Sequence, residues 1–187
     1  TVTSMSLPLM FFVQLARGLT PTQSALLLVP MAVAAGVLSP LAGRLLDRVD
    51  PRVLLVPGLL MVAVSLVWYA LIMNPDTPVW AFLLPSALLG IGNAGMWGPL
   101  ATTATLGLAP RQAGAGSGIY NATRTVGSVI GSAAIAAFMQ ARLESNLPGA
   151  ASAGGDFSAG RLPDAIAGPF STAMAQSILL PAGVILL

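Results

Sequence analysis

Long apolar runs, separated by short polar breaks, follow one another along this chain. All of these runs except the first have about 20 residues or more, the length that an α-helix needs to cross a membrane. Only 7% of the 187 residues are charged and 56% are hydrophobic, whereas soluble domains carry roughly 25% charged residues. So little polar surface cannot cover a water-soluble fold. The pattern therefore predicts an all-α polytopic membrane protein whose surroundings are the lipid bilayer.

Polar breaks divide the chain into six predicted spans. They cover about residues 1–16, 22–46, 51–73, 78–108, 113–143 and 168–187. The first and last runs are expected to be truncated, so the chain is interpreted as a fragment of a longer membrane protein. A loop rich in Ala, Gly, Ser and Pro is predicted at 144–167. Prolines inside the spans are expected to mark kinks, which membrane helices tolerate.

The densest cluster of charge lies between the second and third spans. Its charged residues are Arg44, Asp47, Arg48, Asp50 and Arg52. Short arginine-rich loops stay on the cytoplasmic side, so this loop is predicted to be cytoplasmic and the 144–167 loop external. Asp50 can cap the third helix, with Pro51 at its first position. Gly43 is expected to let two helix ends approach closely. A plain topology anchor is the alternative role for this loop.

Several classes of function are excluded by composition. The chain has no histidine and no cysteine, which excludes disulfides, thiolate or imidazole metal sites and histidine-based acid–base catalysis. No metal, no cofactor and no enzymatic activity are therefore predicted. The eight basic residues are all arginines, scattered along the chain, so nucleic-acid binding is not predicted either.

Glycines inside the spans predict close helix packing. The segment Gly90–Gly95 matches G-x-G-x-x-G, but it lies in the middle of a predicted helix rather than between a strand and a helix, so a dinucleotide site is not predicted. Instead, Gly90, Gly95 and Gly98 are expected to let another backbone approach on one side of the fourth span. Gly127 and Gly131 are expected to do the same in the fifth span.

Arg124 is the one charge predicted to lie deep in the membrane. It is eleven residues into the fifth span, which is about 16 Å of helix rise. A charge at that depth costs at least about 2.5–3.5 kcal/mol and marks a functional site by default. No carboxylate of this chain is expected at matching depth. Arg124 is predicted to face a central cavity with Asn93, Trp97 and Asn121; a structural tie to the second span, or snorkelling to the cytoplasmic edge, is the alternative.

The charged loop resembles a signature of the major facilitator superfamily. The matching residues are Gly43, Leu45, Asp47, Arg48, Arg52 and Leu55. The resemblance implies a cytoplasmic gate in which Gly43, Asp47, Arg48 and Arg52 take part. Asp50 and Pro51 depart from the signature, which is usually degraded in the second six-helix half of the family. The intramembrane arginine and the G-P-x-x-G-G signature of the first half are also missing from the fourth and fifth spans.

The whole chain is similar to the C-terminal half of the fourteen-span drug:proton antiporters. The similarity lies in residues 18–25, Pro30, 39–43, 116–118, Asn121 and Arg124. It implies the C-terminal half of a major facilitator fold, working with a missing N-terminal half in the plasma membrane. By alternating access, the parent would export lipophilic, often cationic drugs in exchange for protons, whose carboxylate would lie in the missing half. A transporter of a sugar or metabolite, or a non-transporting structural subunit, are the alternatives.

Overall fold

The described part of the chain is entirely helical in its regular structure. The computed structural model describes residues 6–74, 76–105, 107–146 and 164–186. These residues form seven α-helices: α1 Ser6–Phe11, α2 Pro21–Leu26, α3 Val29–Leu46, α4 Pro51–Ile72, α5 Leu83–Thr105, α6 Ala113–Asn146 and α7 Asp164–Leu186. A π-helical stretch, Phe12–Ala16, continues α1, and 3-10 turns at Val79–Phe82 and Pro110–Gln112 precede α5 and α6. The predicted all-α class is confirmed.

Four helical stretches of the described residues are long and apolar enough to cross a membrane. They are Pro21–Leu46, Pro51–Ile72, Val79–Thr105 and Ala113–Asn146, at the positions of the second to fifth predicted spans. The helix at the fifth predicted span, α6, is longer than expected and ends at Asn146. Helix α7 begins at Asp164 rather than near Gly168. Both ends of the predicted 144–167 loop are therefore helical, and the rest of that loop lies outside the described residues.

Side-chain caps explain where two of the membrane helices begin. Thr20 accepts a hydrogen bond from Gln23 N (3.3 Å) and its own N–H donates to Gln23 Oε1 (3.1 Å). This reciprocal pair is a capping box, and it starts α2. Asp50 accepts from Arg52 N at 2.8 Å and starts α4, with Pro51 as the first helical residue. The predicted cap at Asp50 is confirmed.

Prolines within the membrane stretches have different effects on their helices. The helix is interrupted at Leu27 and Leu28, just before Pro30, so that α2 and α3 are separate elements. Pro30 has no N–H with which to continue the hydrogen-bond ladder of α2. By contrast, α3 continues as one helix through Pro40, and α5 does so through Pro99. Of these prolines, Pro30 alone lies beside a break.

The core lies around α4 and α5. Helix α3 packs on α5, α7 packs on α4, and α6 packs chiefly on α7. Phe12, Tyr69 and Phe82 are almost completely buried. The Phe82 ring centroid is 5.9 Å from that of Phe12 and 6.2 Å from that of Tyr69. Aromatic contacts at these distances hold the π-helical stretch against α4 and the turn before α5.

Two long helices keep most of their surface exposed. No residue of α3 is buried, and Ile135 is the single buried residue of α6. On α3 the exposed apolar side chains recur every four residues at Val33, Val37, Leu41 and Leu45, so they lie along one side of the helix. Apolar surfaces of this size suit lipid or another part of a membrane protein.

Candidate functional site

Close backbone crossings fix α5 against its neighbours. Gly90 lies on α3, where an added Cβ would be 2.9 Å from the Cα of Met31. Gly92 lies on α4, where an added Cβ would be 2.8 Å from the carbonyl oxygen of Gly58. Neither position has room for a side chain. Small residues of this kind let membrane helices pack backbone to backbone, so the orientation of α5 is strongly constrained.

The glycines of α5 do not share one packing side. Gly95 lies on α4, with Leu54 O 3.3 Å from an added Cβ, whereas Gly90 lies on α3. Gly98 has only the side chain of Leu46 nearby, at 4.0 Å. The expectation that Gly90, Gly95 and Gly98 present one common face is therefore wrong. Residues five apart on a helix are about 140° apart around its axis, so Gly90 and Gly95 reach different neighbours.

A polar and aromatic pair lies on another side of α5. Asn93 is half-buried, and Trp97, one helical turn later, is 36% exposed. The indole Nε1–H of Trp97 donates to Asn93 Oδ1 at 3.2 Å. Hydrogen bonds of this length fall near the upper end of the normal range. This bond ties the indole to its own helix and leaves the ring face available to a neighbour.

Arg124 of α6 occupies that ring face. Its Cζ lies 5.3 Å from the centroid of the Trp97 ring, within the distance at which a guanidinium and an indole attract each other. The contact joins α5 and α6. The structure thus brings together Arg124, Trp97 and Asn93, three residues that the sequence assigns to a common cavity. We call these three residues the Arg124 cluster.

Arg124 and the buried residue of α6 lie on the same side of that helix. Ile135, which is 1% exposed, follows Arg124 by eleven residues, and eleven residues bring a helix back to within about 20° of the same direction. Arg124 therefore lies on the same side of α6 as Ile135, but unlike Ile135 it is exposed among the described residues. Val126, Val129 and Ile130 are exposed and apolar, and they lie more than about 120° away around the helix. The apolar side of α6 is thus separate from the side that carries Arg124.

Asn121 lies beside the Arg124 cluster but is not part of it. The residue is exposed, and its side-chain Nδ2 donates to the carbonyl oxygen of Ser117 on the same helix at 3.0 Å. It is about 60° from Arg124 around the helix axis. Its amide is therefore near the site and is bonded locally.

Carboxylates in the described part of the chain lie at the ends of helices or between them. They are Asp47, Asp50, Asp76, Glu144 and Asp164. None lies at the depth of Arg124, and no ion pair to Arg124 forms among the described residues. The same residues contain no cluster of acids that could hold a metal ion. Among the described residues, Arg124 is therefore the one charged side chain of the cluster and its surroundings.

The charged loop forms a tight connection between α3 and α4. Asp47 is the C-cap of α3, and Arg48 N donates to Leu45 O at 2.9 Å. Gly43, Asp47, Arg48 and Arg52 are all exposed. An added Cβ at Gly43 would meet nothing within 4 Å, so the close helix approach expected there is not found among the described residues. The gating role of the loop stays a prediction.

The glycines of α6 have no tight neighbours in the described part of the chain. Gly127 is exposed, and an added Cβ there would meet nothing within 4 Å. Gly131 is half-buried. The packing predicted for Gly127 is therefore not made with any described helix, and for both glycines a contact with another part of the protein stays a prediction.

A buried hydroxyl network was not foreseen from the sequence. The hydroxyls of Tyr69 and Ser86 are hydrogen-bonded to each other, and Ser86 Oγ donates to the carbonyl oxygen of Leu27 at 2.6 Å. Ser65 Oγ donates to Pro85 O at 2.6 Å. The network links α4 and α5 to the break between α2 and α3, and it satisfies a carbonyl at that break. The available signal was the four-residue spacing of Ser65 and Tyr69, which puts both hydroxyls on one side of an apolar helix.

A separate apolar cavity lies between α1, the π-helical stretch, α6 and α7. Its volume is about 90 Å³, and its lining has no polar surface. The lining residues are Phe11, Leu15, Met139, Leu143, Phe170 and Met174. Met139 follows Arg124 by fifteen residues, or roughly 22 Å of helix rise, so this cavity is distinct from the Arg124 cluster. Methionine and phenylalanine adapt to apolar groups of varied shape.

Comparison with known proteins identifies the family. The profile of the Major Facilitator Superfamily matches residues 1–143. The MFS-type transporter Rv1250 of Mycobacterium tuberculosis is 43% identical over 189 residues, which cover 98% of this chain and 33% of that protein. No solved structure matches this chain.

Two further relatives are named for drug export. Multidrug resistance protein Stp of Mycobacterium tuberculosis is 35% identical over 140 residues, covering 73% of this chain and 26% of Stp. Multidrug export protein EmrB of Escherichia coli is 32% identical over 114 residues, covering 61% of this chain and 22% of EmrB. The chain thus spans a third or less of the length of these relatives. Its helical architecture and these matches together show that the chain belongs to the major facilitator superfamily, a family of membrane transporters.

Proposed function

We propose that this chain forms the C-terminal six-helix half of a proton-coupled multidrug efflux antiporter of the plasma membrane. The observation that carries the proposal is the Arg124 cluster: an exposed arginine, well inside a helix long and apolar enough to cross a membrane, stacked on Trp97. A charge at this depth is costly unless it serves a ligand, a cavity or a partner. The names of Stp and EmrB support drugs as the substrates.

The exposed sides of α3 and α6 support a partner half. Both helices carry rows of exposed apolar residues. If this half stood alone in the membrane, only lipid would cover those residues. In transporters of this kind, two halves rock against each other around a central site. We infer that α6, with its polar side near α5, borders that site and that the missing half closes it.

Proton coupling requires a titratable group inside the membrane, and the described helices of this half carry no carboxylate away from their ends. A proton carrier inside the membrane needs a titratable side chain there, usually a carboxylate. The described acids all lie at helix ends or in connections. The proposal therefore assigns the proton to a carboxylate of the other half, and assigns ligand contact to the Arg124 cluster.

The loop between α3 and α4 fits the cytoplasmic gate. Its arginines are exposed and free of ion pairs among the described residues, so they can meet carboxylates or lipid phosphates on the cytoplasmic side. In the proposed cycle these contacts form when the cytoplasmic end closes. Such contacts would hold the outward-facing state.

Export of an uncharged dye tests the proposal. The full-length protein is made in cells that lack their main exporters, the cells are loaded with Nile red, and efflux is followed with and without a proton uncoupler. Efflux that the uncoupler stops supports the proposal, and the same assay with Arg124→Ala at equal membrane expression shows whether an uncharged compound depends on the guanidinium.

Arg142→Ala is the matched control for that experiment. Arg142 is also on α6 and also stacks on an aromatic ring, with its Cζ 4.8 Å from the centroid of Phe138. It lies near the end of the helix, far from the Arg124 cluster, so its removal should leave efflux intact. Nile red efflux that survives Arg124→Ala would show that an uncharged compound does not need the guanidinium. Absence of efflux for a range of lipophilic dyes would contradict drug export.

A further inference from the structure

Arg124 is the only charged side chain of the described helices that lies more than two turns from either end of its helix. It follows the start of α6 by eleven residues and precedes its end by twenty-two. The hydrocarbon core of a bilayer is about 30 Å thick, and eleven residues correspond to about 16 Å of rise. Helix α6 has 34 residues, or about 51 Å of rise, so Arg124 lies well inside a helix that can cross the whole bilayer. The side chain is exposed and has no charged partner among the described residues, so its partner is a ligand or a group outside these helices.

The guanidinium is only partly satisfied by its surroundings. Trp97 covers one face of the planar group, while its N–H donors point outward in the plane. No hydrogen bond from these donors forms among the described residues. The Asn93 carbonyl oxygen, which could accept one, already accepts the indole N–H of Trp97. What remains open is the edge of the guanidinium, the side that binds a carboxylate with two parallel hydrogen bonds.

We propose that the ligand of this site is an amphipathic organic anion: a carboxylate or sulfonate on an apolar, preferably aromatic body. This proposal rests on the proposed function and deepens it, because it names the charge of the exported compounds. The acidic group pairs with the edge of Arg124, and the flat body lies beside the Trp97 indole. A cationic drug is disfavoured there, because two like charges a few ångströms apart repel strongly where water is scarce.

The expected preference is opposite to the one that resemblance to drug:proton antiporters suggests. Resemblance points to lipophilic and often cationic drugs, whereas the one charge placed deep in these helices is positive. The acids of the described part are too far towards the helix ends to neutralise a cation at the Arg124 cluster. Among compounds with the same apolar body, the Arg124 cluster should therefore bind the anionic one more tightly than the neutral or the cationic one.

The test uses three probes with the same aromatic body and different charge. They are 1-pyrenebutyrate (anionic), 1-pyrenebutanol (neutral) and 4-(1-pyrenyl)butyltrimethylammonium (cationic). Binding to the full-length protein in nanodiscs of neutral lipid is measured by energy transfer from tryptophan to pyrene. The wild-type protein should bind the anion roughly tenfold or more tightly than the neutral probe, as expected for a charge-assisted pair, and the cation most weakly.

Variants of the arginine separate a ligand contact from a structural role. Arg124→Gln should remove the advantage of the anion and leave the neutral probe little changed, and Arg124→Lys should restore part of it. Arg142→Gln should leave all three affinities unchanged. Equal weakening of all three probes in Arg124→Gln would mean that Arg124 pairs within the protein, and it would overturn the proposal.

Nile red efflux is measured beside binding, so that the two proposals can fail separately. Efflux by a wild-type protein that binds the cation best would overturn the anion proposal and leave drug export standing. A wild-type protein that neither binds any probe nor exports Nile red would overturn both.

Discussion

Replacing Gly90 by alanine should strongly destabilise the helix bundle. The new Cβ would be 2.9 Å from Met31 Cα and 3.0 Å from Ala34 Cβ, and it would also overlap the Met31 carbonyl oxygen. Most of these neighbours are backbone atoms, which cannot move aside as a side chain could. Overpacking of this kind typically costs about 1–3 kcal/mol, and a clash with backbone puts Gly90→Ala at the upper end of that range.

The matched control is Gly98→Ala, on the same helix. An added Cβ there would meet only Leu46 Cδ2, at 4.0 Å, which is an ordinary contact. Both substitutions change helix propensity by the same amount, so the difference between them reports the packing at Met31. In detergent, Gly90→Ala should lower the melting temperature of the full-length protein by roughly 4–10 °C relative to Gly98→Ala. Equal melting temperatures would refute the backbone crossing of α3 and α5.

Three other substitutions test separate parts of the structure. Ser86→Ala should cost about 1–3 kcal/mol of stability in thermal unfolding, because it leaves the Leu27 carbonyl without its side-chain donor and leaves the Tyr69 hydroxyl only its longer bond to Phe82 O at 3.4 Å; an unchanged melting temperature would contradict the network. Asp50→Ala should cost about 1 kcal/mol through loss of the α4 cap, whereas Asp50→Asn, which can still cap, should cost little. Trp97→Leu should weaken the apparent affinity for an exported dye by roughly two- to thirtyfold, with Trp97→Phe closer to wild type; identical affinities in all three proteins would remove Trp97 from the site.

Element type was predictable because each element had a strong local signal. Apolar runs of sufficient length gave the four membrane stretches, and the Asp50-Pro51 pair gave the start of α4 from its capping chemistry alone. Helix ends were less certain. Helix α6 continues to Asn146, past Arg142 and Glu144, because charged residues are compatible with a helix that leaves the membrane. The composition of this segment therefore does not show where α6 ends.

Contacts between helices were harder to predict from the sequence than the helices themselves. Arg124 was singled out by its depth, but its partner Trp97 is on another helix, and the sequence does not say which faces of α5 and α6 meet. The error over the α5 glycines has a different source. Their spacing already separates Gly90 from Gly95 around the helix. The angular positions of these glycines therefore predict two different packing neighbours, which the motif alone does not show.

The most direct test of the central claim asks whether the Arg124 side of α6 lines a water-filled cavity. The chain contains no cysteine, so single cysteines can be introduced into a full-length protein whose other cysteines are replaced by serine. Asn121→Cys is near Arg124, and Val126→Cys is at similar depth on the apolar side of α6. Maleimides react with the thiolate, which forms only where water reaches. N-ethylmaleimide should label Asn121→Cys, an exported compound should slow this labelling, and Val126→Cys should stay unlabelled. Labelling of Val126→Cys in preference to Asn121→Cys would contradict a water-filled cavity on the Arg124 side of α6.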